Sequence, residues 1–295
     1  MPKTVFITGA SGFVGTNIKS KLKDFNFRQF DRNEKVIINE EIVLHLAGKA
    51  HDLKRTSNSN EYYKVNTELT KRVFDAFLNS DAKVFITISS VKAIADKIDD
   101  VLLEDHLPNP ITHYGKSKLL AEQYILSKKL PFGKRVFILR PCMIHGKGNK
   151  GNLNALFKFI KFGLPWPLGA FVNKRSYCSI DNLCFIINEL IQNDNIDSDT
   201  FNIADDDSIS TNEIIKLMAK KLGNRPKIWN IPKSLIMIVA KIGDYCYLPL
   251  NTERLNKLTE NYIVSNTKII NTINKPLPFS SIDGFRKTIN YFIIN

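Results

Sequence analysis

The sequence predicts an α/β chain, a doubly wound parallel sheet carrying a smaller C-terminal lobe. Three observations lead there. Short apolar, β-branched runs alternate with amphipathic segments through the first half of the chain. The N-terminus reads strand, glycine turn, helix in immediate succession. Beyond Gly146 the texture changes to glycine- and proline-rich loops and capped helices.

Residues Thr4 to Thr8 are apolar and β-branched, the pattern of a buried strand. Gly9, Gly12 and Gly15 follow, and Phe13 to Lys23 places Val14, Ile18 and Leu22 on one helical stripe. Glycines between a strand and a helix let backbone N–H groups approach a pyrophosphate, and the helix N-terminus favours its charge. The expected dinucleotide contacts of this turn are Gly9, Ser11, Gly12, Phe13, Val14 and Gly15. Phe27 to Phe30 reads as the second strand, ending at Asp31. An acid there can accept hydrogen bonds from adenosine ribose hydroxyls, which favours NAD; Arg32 beside it leaves NADP as the alternative.

Only four residues, 32–35, separate Asp31 from the next apolar run, Val36 to Ile38. A crossover helix needs about a dozen residues, so the usual second helix is expected to be missing or cut to a loop. Ile42 to Leu46 is the next strand-like run, and the small residues Ala47 and Gly48 after Leu46 permit close approach of a cofactor. His45 and His51 flank them without a partner at metal or triad spacing and are expected to be structural. Glu61 to Leu78 predicts one long helix, with Asn66 near its start. Lys83 to Ser89 is a strand, Thr112 to Ser127 a helix and Arg135 to Leu139 a strand ending in Arg140-Pro141. Leu153 to Phe162 looks helical, and Phe201 to Ala204 reads as a strand. Ser210 to Glu213 form a capping box for a helix that stops at Gly223. Ile231 to Tyr247 is apolar with Lys233, Lys241 and Asp244 interspersed; packing in the small lobe is expected over a membrane-surface role.

The chain's 295 residues exceed one small domain, and 43% hydrophobic with 24% charged residues describes a globular protein rather than a disordered one. No signal-peptide pattern and no apolar run of bilayer length are visible. Cys142, Cys178, Cys184 and Cys246 show no metal or redox spacing, so reduced thiols in a cytoplasmic protein are expected. A net charge of +13 suits nucleic acid, an anionic membrane surface or an anionic small substrate. The lysines are spread along the chain without a long basic run, so nucleic acid is not the expected partner. A nucleic-acid binder would instead show strongly salt-dependent association.

The candidate chemistry lies in Ser90, Tyr114 and Lys118. Tyr114 and Lys118 stand at i and i+4 and share a helix face. A phenol titrates near ~10, and a neighbouring ammonium with a cationic nicotinamide would lower that value. The tyrosine could then exchange a proton with a sugar hydroxyl or ketone while hydride moves. Ser90, at its strand's C-terminal end, can hydrogen-bond the same oxygen. Tyr124 and Lys128 repeat the spacing, but deep in the helix, where packing is expected.

TGASGFVG, HLAG, Asn66, the serines at 89–90, YGKSK at 114–118 and the Arg-Pro of ILRP, in that order, resemble the extended short-chain dehydrogenase/reductase family of nucleotide-sugar epimerases, dehydratases and ketoreductases. The resemblance implies a Rossmann-type NAD(P)-binding domain over 1–145, with 176–205 returning to it, and a substrate lobe mainly from 146–175 and 206–295. It implies cofactor contacts at the glycine turn, Asp31, Arg32, Leu46, Ala47, Gly48, Asn66, Tyr114, Lys118 and Pro141. The stretch from Lys150 to Leu183 resembles bacterial UDP-sugar 4-epimerases and 4-ketoreductases of surface-polysaccharide pathways. That likeness implies UDP contacts at Asn152, Leu153 and Arg175 and a sugar contact at Met143, beside Cys142. Arg175 also suits a diphosphate by bidentate charge, and Arg254 is a second such candidate. The dehydratase branch carries acids where this chain has Ser90-Val91-Lys92, so water elimination is not expected.

The expected activity is therefore NAD-dependent hydride transfer at C4 of a UDP-hexose or UDP-N-acetylhexosamine, as a 4-epimerase. The alternative is an NAD(P)H-dependent 4-ketoreductase of a 4-keto-6-deoxy sugar. A non-catalytic NAD(P)-sensing relative would typically lack the tyrosine or lysine, and both are present. The resemblance also implies a homodimer through two helices per subunit, one bearing Tyr114.

Overall fold

The strand sequences alternate which face each residue serves. Val5 and Ile7 enter one core and Phe6 another; Ile42 and Leu44 part from Val43 in the same way, as do Phe137 and Leu139 from Val136 and Ile138. A sheet buried on both faces follows. The computed structural model describes residues 2–31, 33–50, 59–149, 151–246 and 251–294, without the side chain of Asn152.

The first half runs β1 (Thr4–Thr8), α1 (Phe13–Lys21), β2 (Asn26–Gln29), β3 (Ile42–His45), α2 (Asn60–Tyr62), a π-helical segment (Tyr63–Glu68) and α3 (Leu69–Leu78). It continues through β4 (Val84–Ile88), a 3₁₀ turn (Val91–Ala93), β5 (Val101–Leu102), α4 (His113–Leu126) and β6 (Arg135–Pro141). The second half comprises β7 (Met143–His145), α5 (Asn152–Lys161), β8 (Tyr177–Ser179), α6 (Ile180–Gln192), β9 (Asp199–Ile203) and α7 (Thr211–Lys221). It closes with α8 (Lys233–Cys246), α9 (Thr252–Thr259), β10 (Ile263–Val264), α10 (Thr267–Ile273) and α11 (Ser281–Ile294).

The main sheet has the order β2-β1-β3-β4-β6-β9, and every pairing in it is parallel. The order reverses at β1, so a crevice opens beyond the C-terminal ends of β1 and β3, where open α/β sheets bind ligands. α1 and α6 cover one face through Ile18, Leu183 and Ile187; α3 covers the other through Val73, Phe74 and Phe77. A separate core joins α5, α7, α8 and α11 around Phe157, Ile215, Ile236 and Phe285.

Among the described residues no helix connects β2 to β3, as the short spacing after Asp31 predicts. An extended segment does its work. Phe30 packs on Phe6 at 5.9 Å between ring centroids, and Ile38 is buried in the same core. Arg28 lies 4.7 Å over the Phe6 ring and pairs with Glu40, tying the segment to the strand edge.

Two elements depart from the sequence reading. The predicted single helix over 61–78 contains the π segment, which buries Asn66 and Thr67. Their side chains reach Ser117 of α4, Asn66 through its hydroxyl at 2.9 Å and Thr67 through its carbonyl at 2.8 Å. Such a bulge is a usual mark of a functional region. The helix expected to pack within the small lobe does form as α8, but only Ile236, Ala240 and Gly243 are buried along it.

Candidate active site

The glycine turn is shaped by contact. Gly9 has φ +70°, and a Cβ there would stand 2.6 Å from the Ala47 nitrogen. A Cβ on Gly15 would collide with the Gly9 carbonyl oxygen. Gly9 thus lets β1 approach the loop after β3, and Gly15 lets α1 pack on the turn. Gly12 caps α1 and is exposed with Ser11, presenting the helix N-terminus outward; Phe13 and Val14 are half-buried behind them. The loop after β7 closes over this start, with the Asn17 amide donating to the Lys147 carbonyl at 2.9 Å.

A buried polar chain fixes the crevice floor. The Ala47 N–H donates to the Thr8 hydroxyl at 3.1 Å, and that hydroxyl lies 2.8 Å from His45 Nδ1. His45 Nε2 is 2.8 Å from the Thr70 hydroxyl, which donates to the Asn66 carbonyl at 2.7 Å. Because Thr70 donates onward, Nε2 carries the proton and Nδ1 accepts from Thr8. Burial, with Lys118 nearby, pushes the His45 pKa down to about 3, so it is a neutral structural connector, as expected. His51 and Arg32 lie outside the described residues.

Asn66 was expected to touch cofactor. It is fully buried and spends its polar atoms inside the protein. Its carbonyl oxygen accepts from the Lys49 N–H at 2.8 Å, and its amide donates to the Lys49 carbonyl and to Ser117. It positions the loop after β3 against α4. Gly48 in that loop faces Lys118: a Cβ on Gly48 would stand 3.0 Å from Nζ. Leu46 is half-buried and Ala47 buried on the same loop. Asp31 is exposed just past β2, at an open hollow lined with Gln29, Phe30 and Asn33.

Ser90 ends the β4 strand run and caps the 3₁₀ turn, its hydroxyl accepting from the Lys92 N–H at 3.2 Å. Its proton is left for another acceptor. Tyr114, in the first turn of α4, faces it: burial pushes the phenol pKa up, and a hydrogen bond with Ser90 opposes that rise. Tyr62 stands edge-on to Tyr114 at 6.4 Å. Lys118 is buried, and Nζ donates to the Ile88 carbonyl at 2.8 Å. Burial pulls its pKa down to about 8, with Glu122 opposing. Within the protein itself, burial is the larger influence on Tyr114. Tyr124 turns away and donates to Asp75 at 2.7 Å, a packing role as expected.

The supports of α4 escaped sequence reading. Asp96 accepts from the Ile111 and Thr112 N–H groups at 2.7 and 3.0 Å, and Thr112 caps the helix. Glu122 and Arg140 form a buried pair at 2.7 Å, and Ser89 donates to the same carboxylate. Glu122 stands four residues past Lys118, a spacing that could have flagged it.

The lobe supplies the far wall. Arg175 is half-buried, donates to the Lys257 carbonyl of α9, and lies close enough to Lys92 to depress its pKa further, though burial is the larger cause. Lys92 donates to the Asp96 carbonyl at 2.6 Å and sits 4.1 Å over the Tyr262 ring. Sequence reading noticed Lys92 only as a missing acid. Cys142 is buried, its thiol pushed well up, and Met143 is partly exposed in β7. Arg254 is exposed on α9. Leu153, expected to touch substrate, opens α5 beside Asn152 with its side chain buried in the lobe core. Pro141 ends β6 and is buried; Asn152 opens α5, its side chain outside the described residues.

The arrangement offers a dinucleotide cradle at the glycine turn, an acid–base tyrosine with a serine partner, and two cations at the lobe side. Among the described residues no cluster could hold a metal, and no helix is long and apolar enough to cross a membrane.

Known proteins agree with this reading. The chain is 27% identical to a UDP-glucose 4-epimerase of Vibrio cholerae, over 99% of this chain and 96% of the relative. It is 26% identical to N-acetyl-alpha-D-glucosaminyl-diphospho-ditrans,octacis-undecaprenol 4-epimerase of Escherichia coli O157:H7, over 100% and 97% of the two chains. A UDP-glucuronic acid 4-epimerase of Bacillus cereus, solved with NAD, shares the fold at TM-score 0.75 and 18% identity, covering 99% of each chain. The family model for the NAD dependent epimerase/dehydratase family matches residues 24–204, and the chain belongs to that family.

Proposed function

We propose that the protein is a cytoplasmic NAD-dependent UDP-sugar 4-epimerase acting on a UDP-hexose or UDP-N-acetylhexosamine. The observation that carries this reading is Tyr114 facing Ser90 at the end of β4, with Lys118 one turn on and the glycine cradle across the crevice. The two 4-epimerases similar over nearly their whole length support chemistry at C4.

The cradle fits a dinucleotide, because the space a Cβ would fill at Gly9 and Gly15 is taken by backbone, which brings the tight turn and the exposed start of α1 together where a phosphate would sit. Gly12, Ser11 and the start of α1 would hold the pyrophosphate, Asp31 the adenosine ribose, and Gly48 and Lys118 the nicotinamide side. Bound there, NAD supplies the acceptor, and then the donor, of the C4 hydride. Tyr114 takes the proton of the C4 hydroxyl and returns it to the oxygen of the opposite epimer. Ser90 donates its free proton to that oxygen and holds it in place. Lys118 contributes positive charge, which favours the phenolate. Arg175 and Lys92 meet the diphosphate. A homodimer would form across α3 and α4, where Leu120 and Leu126 are exposed.

The test is incubation with UDP-glucose and UDP-N-acetylglucosamine, followed by NMR of the product and identification of cofactor released on denaturation. Formation of the 4-epimer with tightly held NAD supports the reading. A site that exchanges NADPH and reduces a 4-keto sugar would replace it with the 4-ketoreductase.

A further inference from the structure

A surface helix normally buries an apolar stripe and shows polar residues to water. α8 shows apolar residues around most of its circumference. Leu235, Met237, Ile238, Val239, Ile242 and Tyr245 are exposed, from 40% at Val239 to 85% at Tyr245. At about 100° per residue, Ile238 and Tyr245 lie opposite the buried stripe of Ile236, Ala240 and Gly243. The patch extends beyond the helix. Trp166 exchanges backbone hydrogen bonds with Lys227 and Trp229, and Lys227 Nζ donates to the Gly163 carbonyl, so the loop that carries Phe162 and Leu164 runs along the segment that leads into α8. Phe162 is 79% and Trp229 55% exposed.

The charges around this patch are mainly cationic: Lys158 and Lys161 on α5, Lys227 before α8, and Lys233 and Lys241 on it. The carboxylate on α8, Asp244, is engaged by the Thr252 N–H and hydroxyl. Lys241 decides between occupants. It is exposed on the outward half of the helix, one turn from both Met237 and Tyr245 and beside Ile238. Lysine is depleted at the centre of protein–protein interfaces. At a bilayer surface its stem lies among the apolar groups while its ammonium reaches the headgroups.

We propose that α8 seats this protein on an anionic membrane surface, lying in the interfacial plane with its apolar face in the headgroup boundary. Aromatic residues at the edge and interspersed lysines are the composition such a helix requires. The placement also selects a substrate class, a step that rests on the C4 reading above. α9 packs on α8, and its Lys257 carbonyl receives Arg175. The cationic end of the site is thus one helix away from the membrane face. A sugar diphosphate whose far ester is a long isoprenoid alcohol can place its sugar at Tyr114, its diphosphate at Arg175 and its chain in the bilayer.

The test is flotation of the full chain at about 0.1 M salt with phosphatidylcholine vesicles, plain or containing about one third phosphatidylglycerol. The protein is expected to float with the anionic vesicles and weakly with the neutral ones. The double variant Ile238→Glu/Ile242→Glu is expected to cut the bound fraction by about tenfold or more, with UDP-sugar turnover unchanged. Absence of flotation, flotation indifferent to the double variant, or a stable dimer that the variant dissociates overturns the docking. In a second arm, undecaprenyl diphosphate N-acetylglucosamine in the anionic vesicles is the substrate. Faster turnover by the parent than by the variant supports the substrate class, and turnover of UDP-sugars alone overturns it. Flotation without turnover of either substrate sinks the C4 reading and upholds the docking.

Discussion

Gly115 packs directly on the Lys92 carbonyl oxygen, leaving no space for a side chain between α4 and the turn that follows Ser90. A Cβ would also stand 2.9 Å from Pro110. This contact sets how near Tyr114 comes to Ser90. Gly115→Ala must push the first turn of α4 outward, and a displacement of about 1 Å at reacting groups costs on the order of 10²-fold in rate. The expected outcome is a kcat lower by that order with NAD content retained, read by steady-state kinetics and by cofactor released on denaturation. Unchanged kcat would mean that the helix start does not govern the tyrosine's position.

Tyr114→Phe removes the only hydroxyl proposed to exchange a proton at C4. General acid–base groups contribute about 10²–10⁴-fold, so kcat is expected to fall within that range. Tyr124→Phe serves as the comparison, because that hydroxyl bonds Asp75 on the α3 side. It is expected to keep turnover and lose about 1 kcal/mol of stability. Equal turnover in both variants would remove Tyr114 from the mechanism.

Burial holds the Lys118 pKa at about 8 against an ordinary 10.5. Below pH 8 the ammonium is present and can favour the phenolate; above it the charge is lost. Turnover is therefore expected to decline as pH rises past about 8, and Lys118→Arg, which stays charged, is expected to lift that limb to higher pH at reduced kcat. The stability sign is opposite. Between about 8 and 10.5 the unfolded chain binds the extra proton, so this group makes the fold more stable as pH rises through that window. A pH–rate profile and urea unfolding across the same range check both directions.

The parts of this site that were legible in the sequence are local. The three glycines, the i,i+4 pair of Tyr114 and Lys118 at a helix start, and the capping box at Ser210 and Glu213 are short-range patterns. The lost crossover helix was legible because a chain segment of that length cannot hold one. What stayed hidden depends on neighbours distant in sequence. Nothing local reveals that Lys49 and Ser117 take up the hydrogen bonds of Asn66. The burial of the Leu153 side chain is likewise hidden, since the core it joins draws on residues of α7 and α11. Which side of α8 packs was not legible either, since apolar residues lie around most of the helix and only tertiary contact buries Ile236, Ala240 and Gly243.

Glu122 and Arg140 are both buried, and the carboxylate also receives Ser89. Removing one partner strands the other's charge. Glu122→Gln or Arg140→Met is expected to cost about 3–5 kcal/mol, while the double replacement Glu122→Leu/Arg140→Met is expected to recover much of it. Urea denaturation of the three variants measures this; equal losses in single and double variants would mean that the pair is not coupled.

The Thr8–His45–Thr70 chain ties β1, β3 and α3 together beneath the cradle, and it works only while His45 is neutral. The His45 pKa in the fold is about 3, against 6.5 ordinarily. Between those values the unfolded chain binds a proton that the folded chain refuses. Stability from this group is complete above about 6.5 and is expected to drain by roughly 1.4 kcal/mol per pH unit as pH falls toward 3. His45→Asn has no such group. It is expected to be clearly less stable than the parent at neutral pH, with the gap narrowing steadily as pH drops. Urea unfolding of both proteins at several pH values between these limits reads the gap. A gap that stays constant would show that protonation of His45 is not what the acid limb measures, and that the chain's stabilising role is packing alone.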